Sequence, residues 1–211
     1  MTTPSEPVRP ATVTYGSYLR LDDLLSCQAP ATDKHDELLF VIIHQVYELW
    51  FKQILHEAAL LQVRLEEGSS AGALATARRI AKILKTIVGQ LDVLETMTPK
   101  QFTSFRPELG SASGFQSDQF RVLEAVLGRR DFGDAEHDPQ LAAAVRRRAV
   151  FDSLLRYLHK TGYEVPAEFL DRELGIARVQ QDKIHVRRHG PSLGDGFRVA
   201  HMDNLHEFDA G

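Results

Sequence analysis

Cysteine is nearly absent. Cys27 is the one thiol in 211 residues, which excludes an intrachain disulfide and suits a reducing compartment. An excess of either charge is missing too: 25 Lys and Arg stand against 29 Asp and Glu, a net −4. The basic residues are scattered among acidic ones, so nothing marks a nucleic-acid partner. The first residues, MTTPSEPVRPATVT, lack the apolar core of a signal peptide or a span, and no later stretch reads as apolar for long enough to cross a bilayer. These absences describe a soluble, cytoplasmic chain without a membrane partner. GxGxxG and P-loop patterns are missing, and no Ser or Cys sits in a nucleophile turn. His185 and His189 stand at helical spacing in a segment with no helical period, which is too little for zinc.

What is present is a core. At 43% hydrophobic the chain can bury one domain of ordinary size. Its centre is the stretch Asp36 to Glu57, which reads as a helix running on to Glu66 or Glu67. Leu39, Ile42, Ile43, Val46, Trp50 and Ile54 form one stripe, and Phe40, His44, Tyr47, Phe51 and Leu55 form a second beside it. Two apolar faces predict a buried helix. His44 is the anomaly, an imidazole between Phe40 and Tyr47 where an unpaired polar group is costly. A core histidine bonded to a neighbour and a functional site are both open readings.

Residues 1–13 read as a flexible arm. Tyr15 to Leu25 suggests one short helix, whose two tyrosines either anchor the edge of the core or dock on another subunit. Asp33 is a plausible cap for the central helix, and Asp36 and Glu37 suit its first turn. Gly68-Ser69-Ser70 ends it. A second long helix follows, with Leu74, Ile80, Ile83, Leu84, Ile87, Val88, Leu91 and Leu94 on one stripe, and the short turn predicts an antiparallel pair. Thr98-Pro99-Lys100-Gln101 is a capping box with proline at the first helical position. The short helix it opens would place Phe102 and Arg106 on one face. Ser113 and Gln116 form a second capping box, opening a helix from Phe115 to Leu127, and another helix runs from Asp138-Pro139 to about Lys160. After Phe169 the chain is polar, rich in Gly and His, and without helical period. The expected organisation is all-α, with an arm at 1–13, a helical domain at 14–165 and a weakly ordered tail at 166–211.

Arginine is the natural bidentate partner of a carboxylate, and aromatic side chains select a flat ligand, so an aromatic amino or keto acid would suit Arg106 with Phe102. Arg106 pairing with Glu108, or capping a helix, would suit the sequence equally.

Three stretches, YGSYLRLDDLL, HDELLFVIIHQVYELWFKQILHE and FTSFRPELGSASGFQSDQFRVLE, resemble the N-terminal signature blocks of the tryptophan 2,3-dioxygenases. The likeness spans about Thr14 to Tyr163. It implies an all-helical haem-dioxygenase-like bundle with long antiparallel helices, assembled as a homotetramer. The implied reaction uses haem b and its iron to insert both atoms of O2 into the indole ring of L-tryptophan. Its product is N-formyl-L-kynurenine, the first step of tryptophan catabolism by the kynurenine route. By resemblance Phe40, Val41, Ile42, Ile43 and His44 line the substrate pocket, with His44 at the indole nitrogen as hydrogen-bond partner rather than required base. Arg106 takes the substrate carboxylate and Phe102 packs on the indole. Ser113 and Gly114 lie at the haem edge, while Tyr15, Tyr18 and Leu19 reach a neighbouring subunit's pocket. The last third departs from the family: its GTGGSSG loop is absent. Its WRxRH-type helix, which carries the proximal iron ligand, has only FRVAHM as counterpart, making His201 the candidate iron ligand. A truncated, catalytically inactive interaction or subunit protein is therefore an alternative expectation, and a related haem monooxygenase is a third.

Overall fold

The computed structural model describes residues 13–111, 116–133 and 137–170, and the backbone of 187–188. Among them the chain is helical almost throughout, in agreement with the all-α reading. Its elements are α1 (Tyr15–Leu19), α2 (Leu21–Leu25), α3 (His35–Glu67), α4 (Ser70–Leu94), α5 (Pro99–Thr103), a 3-10 turn (Arg106–Leu109), α6 (Asp118–Leu127), α7 (Pro139–Arg146), α8 (Val150–Lys160) and α9 (Ala167–Leu170). Two short strands, β1 (Tyr163–Glu164) and β2 (Arg187–Arg188), pair antiparallel, Tyr163 with Arg188 and Glu164 with Arg187. The arm before Val13, most of the polar tail, Ser113, Gly114 and His201 lie outside the described residues.

The chain forms two compact units, Met1–Ile54 with Arg79–Phe120, and Leu55–Arg78 with Arg121–Gly211. Helix α3 contributes to both, and its 33 residues contain no Gly or Pro. Gly68 ends it at φ +78, the left-handed position that glycine adopts without penalty. By length and composition α3 is able to cross a bilayer, which corrects the reading that no stretch runs apolar far enough. The sequence reading missed it because Glu48 and Lys52 interrupt the run near its middle, where charge in a lipid core is costly.

In the first unit Ile43, Ile54, Ile80, Ile83 and Phe105 are buried. The second packs Ala125, Leu141 and Ala144 with Val122, Val126, Phe132 and Val145 around them. Arg130 secures this unit by donating to the carbonyls of Ala125 and Arg147, the latter at 3.1 Å.

Several boundaries differ from the sequence reading, each for a local reason. The expected helix over Tyr15 to Leu25 is two, because Arg20 turns left-handed at φ 52 between them. Asp33 does not cap α3 but pairs with Lys34 at 3.1 Å. Helix α6 begins at Asp118 rather than Phe115, where the Ser117 hydroxyl accepts from the Phe120 N–H at 3.1 Å. The expected helix from Asp138 to Lys160 breaks between α7 and α8, since Arg147 is extended and the Asp152 carboxylate takes the Ala149 N–H at 2.9 Å. On α4 the buried row is Ala73, Thr76, Ile80 and Ile83, whereas Leu74, Val88 and Leu91 of the expected stripe are exposed. The apolar face is wider than the row that is buried, which begins with the small Ala73 and Thr76 and continues through Ile80 and Ile83. Ile42 on α3 is likewise exposed, so the expected burial of both apolar faces does not hold there.

The segment before α3 is strapped down by Glu37. Its carboxylate accepts from the N–H of Ala31 at 2.6 Å, the N–H of Thr32 at 2.8 Å and the Thr32 hydroxyl. The Thr32 hydroxyl, aided by the two amides and opposed by burial, holds the Glu37 pKa below its ordinary 4.5. A depressed carboxylate pKa means that the folded state holds its proton more weakly than the unfolded chain does. The stabilisation is therefore complete above the ordinary value and is lost as pH falls through the folded one. Glu37→Gln is expected to flatten this acid limb in urea unfolding followed across the carboxylate range; a variant whose midpoint tracks wild type at every pH would remove Glu37 from that role.

Candidate functional site

One face of α3 and the segment after α4 build an aromatic cluster. Phe40 lies 4.1 Å from the His44 ring, 5.8 Å from Phe102 and 5.7 Å from Phe105, between ring centroids. Phe102 and Phe105 meet edge to face at 5.5 Å and 88°. The line of rings continues along α3 through Tyr47, at 6.4 Å from His44, to Phe51 and then Phe120. Except for the stacked pair Tyr47–Phe51, these are the edge and tilted contacts that the ring quadrupole favours. Tyr47 donates its hydroxyl to the Ile87 carbonyl at 3.3 Å, and burial raises its phenol pKa above the ordinary 10.0.

His44 sits in this cluster, half-buried. Its Nδ1 is 2.7 Å from the Phe40 carbonyl. A carbonyl only accepts, so Nδ1 carries the proton and Nε2 of the neutral ring is an acceptor. No described residue bonds to Nε2. The imidazole is thus bonded to a neighbour, as the core reading expects, while its Nε2 has no partner among the described residues.

The entry to the cluster is fixed by caps. Thr98 accepts from Gln101 N, and Gln101 returns its side chain to Thr98 N at 2.8 Å, while the Gln101 amide donates to Asp36 at 3.2 Å. Helix α5 ends at Thr103. Phe102 and Arg106 are therefore on separate elements rather than on one helix face. Arg106, half-buried in the 3-10 turn, donates through Nη1 to the Gly110 carbonyl at 2.8 Å, and no bond to Glu108 forms. Its Nε and Nη2 have no partner among the described residues.

Of the expected pocket residues, Phe40, His44 and Phe102 come together. Val41 and Ile42 follow Phe40 directly on the helix and point away from its face, whereas Ile43, three residues on, lies beside it; Ile43 is buried in the core, Val41 half-buried and Ile42 exposed. Tyr15, Tyr18 and Leu19 stand exposed on α1, at 77%, 76% and 41%. Sequence reasoning missed Phe105, which is wholly buried, although its three-residue spacing from Phe102 was the available signal. It also passed over Phe120. Among the described residues no three metal-ligating side chains cluster.

A sequence model described as tryptophan 2,3-dioxygenase matches residues 2–145. The chain belongs to the tryptophan 2,3-dioxygenase family. Relatives carrying that name include one from Anaeromyxobacter sp. (strain K), 58% identical over 174 residues, covering 79% of this chain and 64% of the relative. Another, from Herpetosiphon aurantiacus, is 49% identical over 182 residues, covering 82% of this chain and 70% of the relative. A third, from Caulobacter vibrioides, is 38% identical over 181 residues, covering 82% and 69%. The chain thus spans just under two thirds of the Anaeromyxobacter relative. The match to the tryptophan 2,3-dioxygenase family contains Phe40, His44, Phe102, Arg106, Ser113 and Gly114, and stops short of His201.

Proposed function

We propose that the chain serves haem-dependent oxidation of L-tryptophan by O2 to N-formyl-L-kynurenine, and that the aromatic cluster is its indole site. The observation that carries this reading is the open Nε2 of His44 among Phe40 and Phe102. An acceptor nitrogen beside flat apolar rings suits an indole N–H, and the Nδ1 bond to the Phe40 carbonyl keeps it an acceptor. Arg106 takes the substrate carboxylate. Phe102 packs on the indole, and Ile43 backs the pocket wall from α3, three residues after Phe40; Val41 and Ile42 lie off that face. These residues bind, orient and exclude water; when bound, haem b supplies the iron chemistry that activates O2.

The described residues fit the haem on the substrate side, where Phe40, His44 and Phe102 offer an apolar wall with a single polar nitrogen. Ser113 and Gly114 are proposed at its edge, and His201 as the residue that holds its iron. Tyr15, Tyr18 and Leu19, exposed on α1, are proposed to reach a neighbouring subunit in a homotetramer, within a cytoplasmic protein. The domain limits 1–13, 14–165 and 166–211 belong to the same proposal.

A second reading, a helical interaction or subunit protein without catalysis, is favoured by the large apolar side chains that Leu38, Leu49, Val88 and Leu91 expose. Absorbance titration of the reduced protein with haemin, with and without L-tryptophan, separates the two. A saturable Soret shift that responds to tryptophan is expected; absence of any saturable shift would favour the subunit reading.

A further inference from the structure

Arg106 is held at both ends. Its backbone follows Phe105, wholly buried against Phe40 and Phe102. At the other end its Nη1 is bound to the Gly110 carbonyl at 2.8 Å. A guanidinium has two parallel donor pairs, and with Nη1 engaged the pair made by Nε and Nη2, without a partner among the described residues, is the one that can meet a planar two-oxygen acceptor.

The carbonyl reaches Nη1 because of the backbone it sits on. Gly110 has φ 56 and ψ −126, the combination of the first central residue of a type II′ turn, which glycine takes readily and side-chain-bearing residues resist. Its own N–H returns to the Pro107 carbonyl at 3.3 Å, closing the 3-10 turn. A Cβ at this position would meet nothing within 4 Å. The need for glycine here is therefore conformational and not steric.

We propose that Gly110 is a positioning residue for carboxylate recognition: its carbonyl fixes the Arg106 guanidinium so that Nε and Nη2 receive both carboxylate oxygens of the ligand. This rests on the assignment of Arg106 made above and extends it to a residue that need not touch the ligand.

The test is calorimetric binding of L-tryptophan and of tryptamine, which keeps the indole and the amine but lacks the carboxylate, to the full chain. Wild type is expected to prefer L-tryptophan. Gly110→Ala is expected to weaken L-tryptophan about tenfold, the scale of one hydrogen bond to a charged group, and to leave tryptamine unchanged. Gly110→Asn, which tolerates positive φ better than Ala, is expected to fall between, and carries the test if the alanine variant does not fold. In an Arg106→Met background Gly110→Ala is expected to have no further effect, as coupled residues behave. Equal loss for both ligands, or additive loss in the double variant, would overturn the role of Gly110 alone. A wild type that binds the two ligands alike would instead overturn the carboxylate assignment of Arg106, and a wild type that binds neither would overturn the tryptophan reading; the role of Gly110 falls with each.

Discussion

Phe105→Ala is expected to lower the unfolding free energy by about 3–5 kcal/mol, the range for deleting a buried phenylalanine ring. The side chain has no exposed surface and touches the rings of Phe40 and Phe102 at 5.7 and 5.5 Å. Its removal leaves a cavity that two large aromatic neighbours, themselves fixed by α3 and α5, fill poorly. Against a whole-domain stability of about 5–15 kcal/mol, this is a large share. Urea unfolding measures it, with Phe105→Leu as a milder control. A loss under about 1 kcal/mol would mean that the cluster repacks freely and does not hold the segment carrying Arg106.

Arg106→Ala is expected to weaken L-tryptophan binding by one to two orders of magnitude, following the loss of a charge-assisted contact of about 1.5–3 kcal/mol. Lysine should restore only part of it, because an ammonium is a point charge without the two-pronged geometry of guanidinium. The expected split is specific, with affinity for L-tryptophan falling and the unfolding midpoint almost unmoved, since the arginine's one described bond lies at an exposed carbonyl. Unchanged tryptophan affinity would remove Arg106 from the site.

Where a local rule decides a segment, the sequence is transparent. Helix α5 begins and is capped as Thr98, Pro99 and Gln101 dictate, and α3 runs to Glu67 because no glycine or proline interrupts it. The central aromatic face was legible for the same reason, since helical spacing alone aligns Phe40, His44, Tyr47 and Phe51. Features set by distant partners were not. At the break after α7 the Arg147 carbonyl is met by Arg130, 17 residues away, and Ala149, not a capping residue type, heads α8. The exposure of Leu74 and Val88 could not be read from α4 itself, because periodicity marks an apolar face without saying which row of it meets a neighbour. Gly110 is of the same kind: a glycine in a sequence announces freedom, not the direction in which its carbonyl will point.

The turn at Gly68 also sets the order in which parts of the chain can meet. Around it Arg64 donates to the Gly72 carbonyl and to the Thr76 hydroxyl, partners 8 and 12 residues away. The Tyr47 bond to Ile87 spans 40. Closing a loop costs entropy that grows with its length, but each closure nearer the turn shortens the loop left for the next. The two long helices can therefore close outward from Gly68, with almost every residue this needs lying at or before Leu94. Contacts so local favour rapid folding, and they allow the wall that carries His44 to form without the segment bearing Phe105 and Arg106, which completes it.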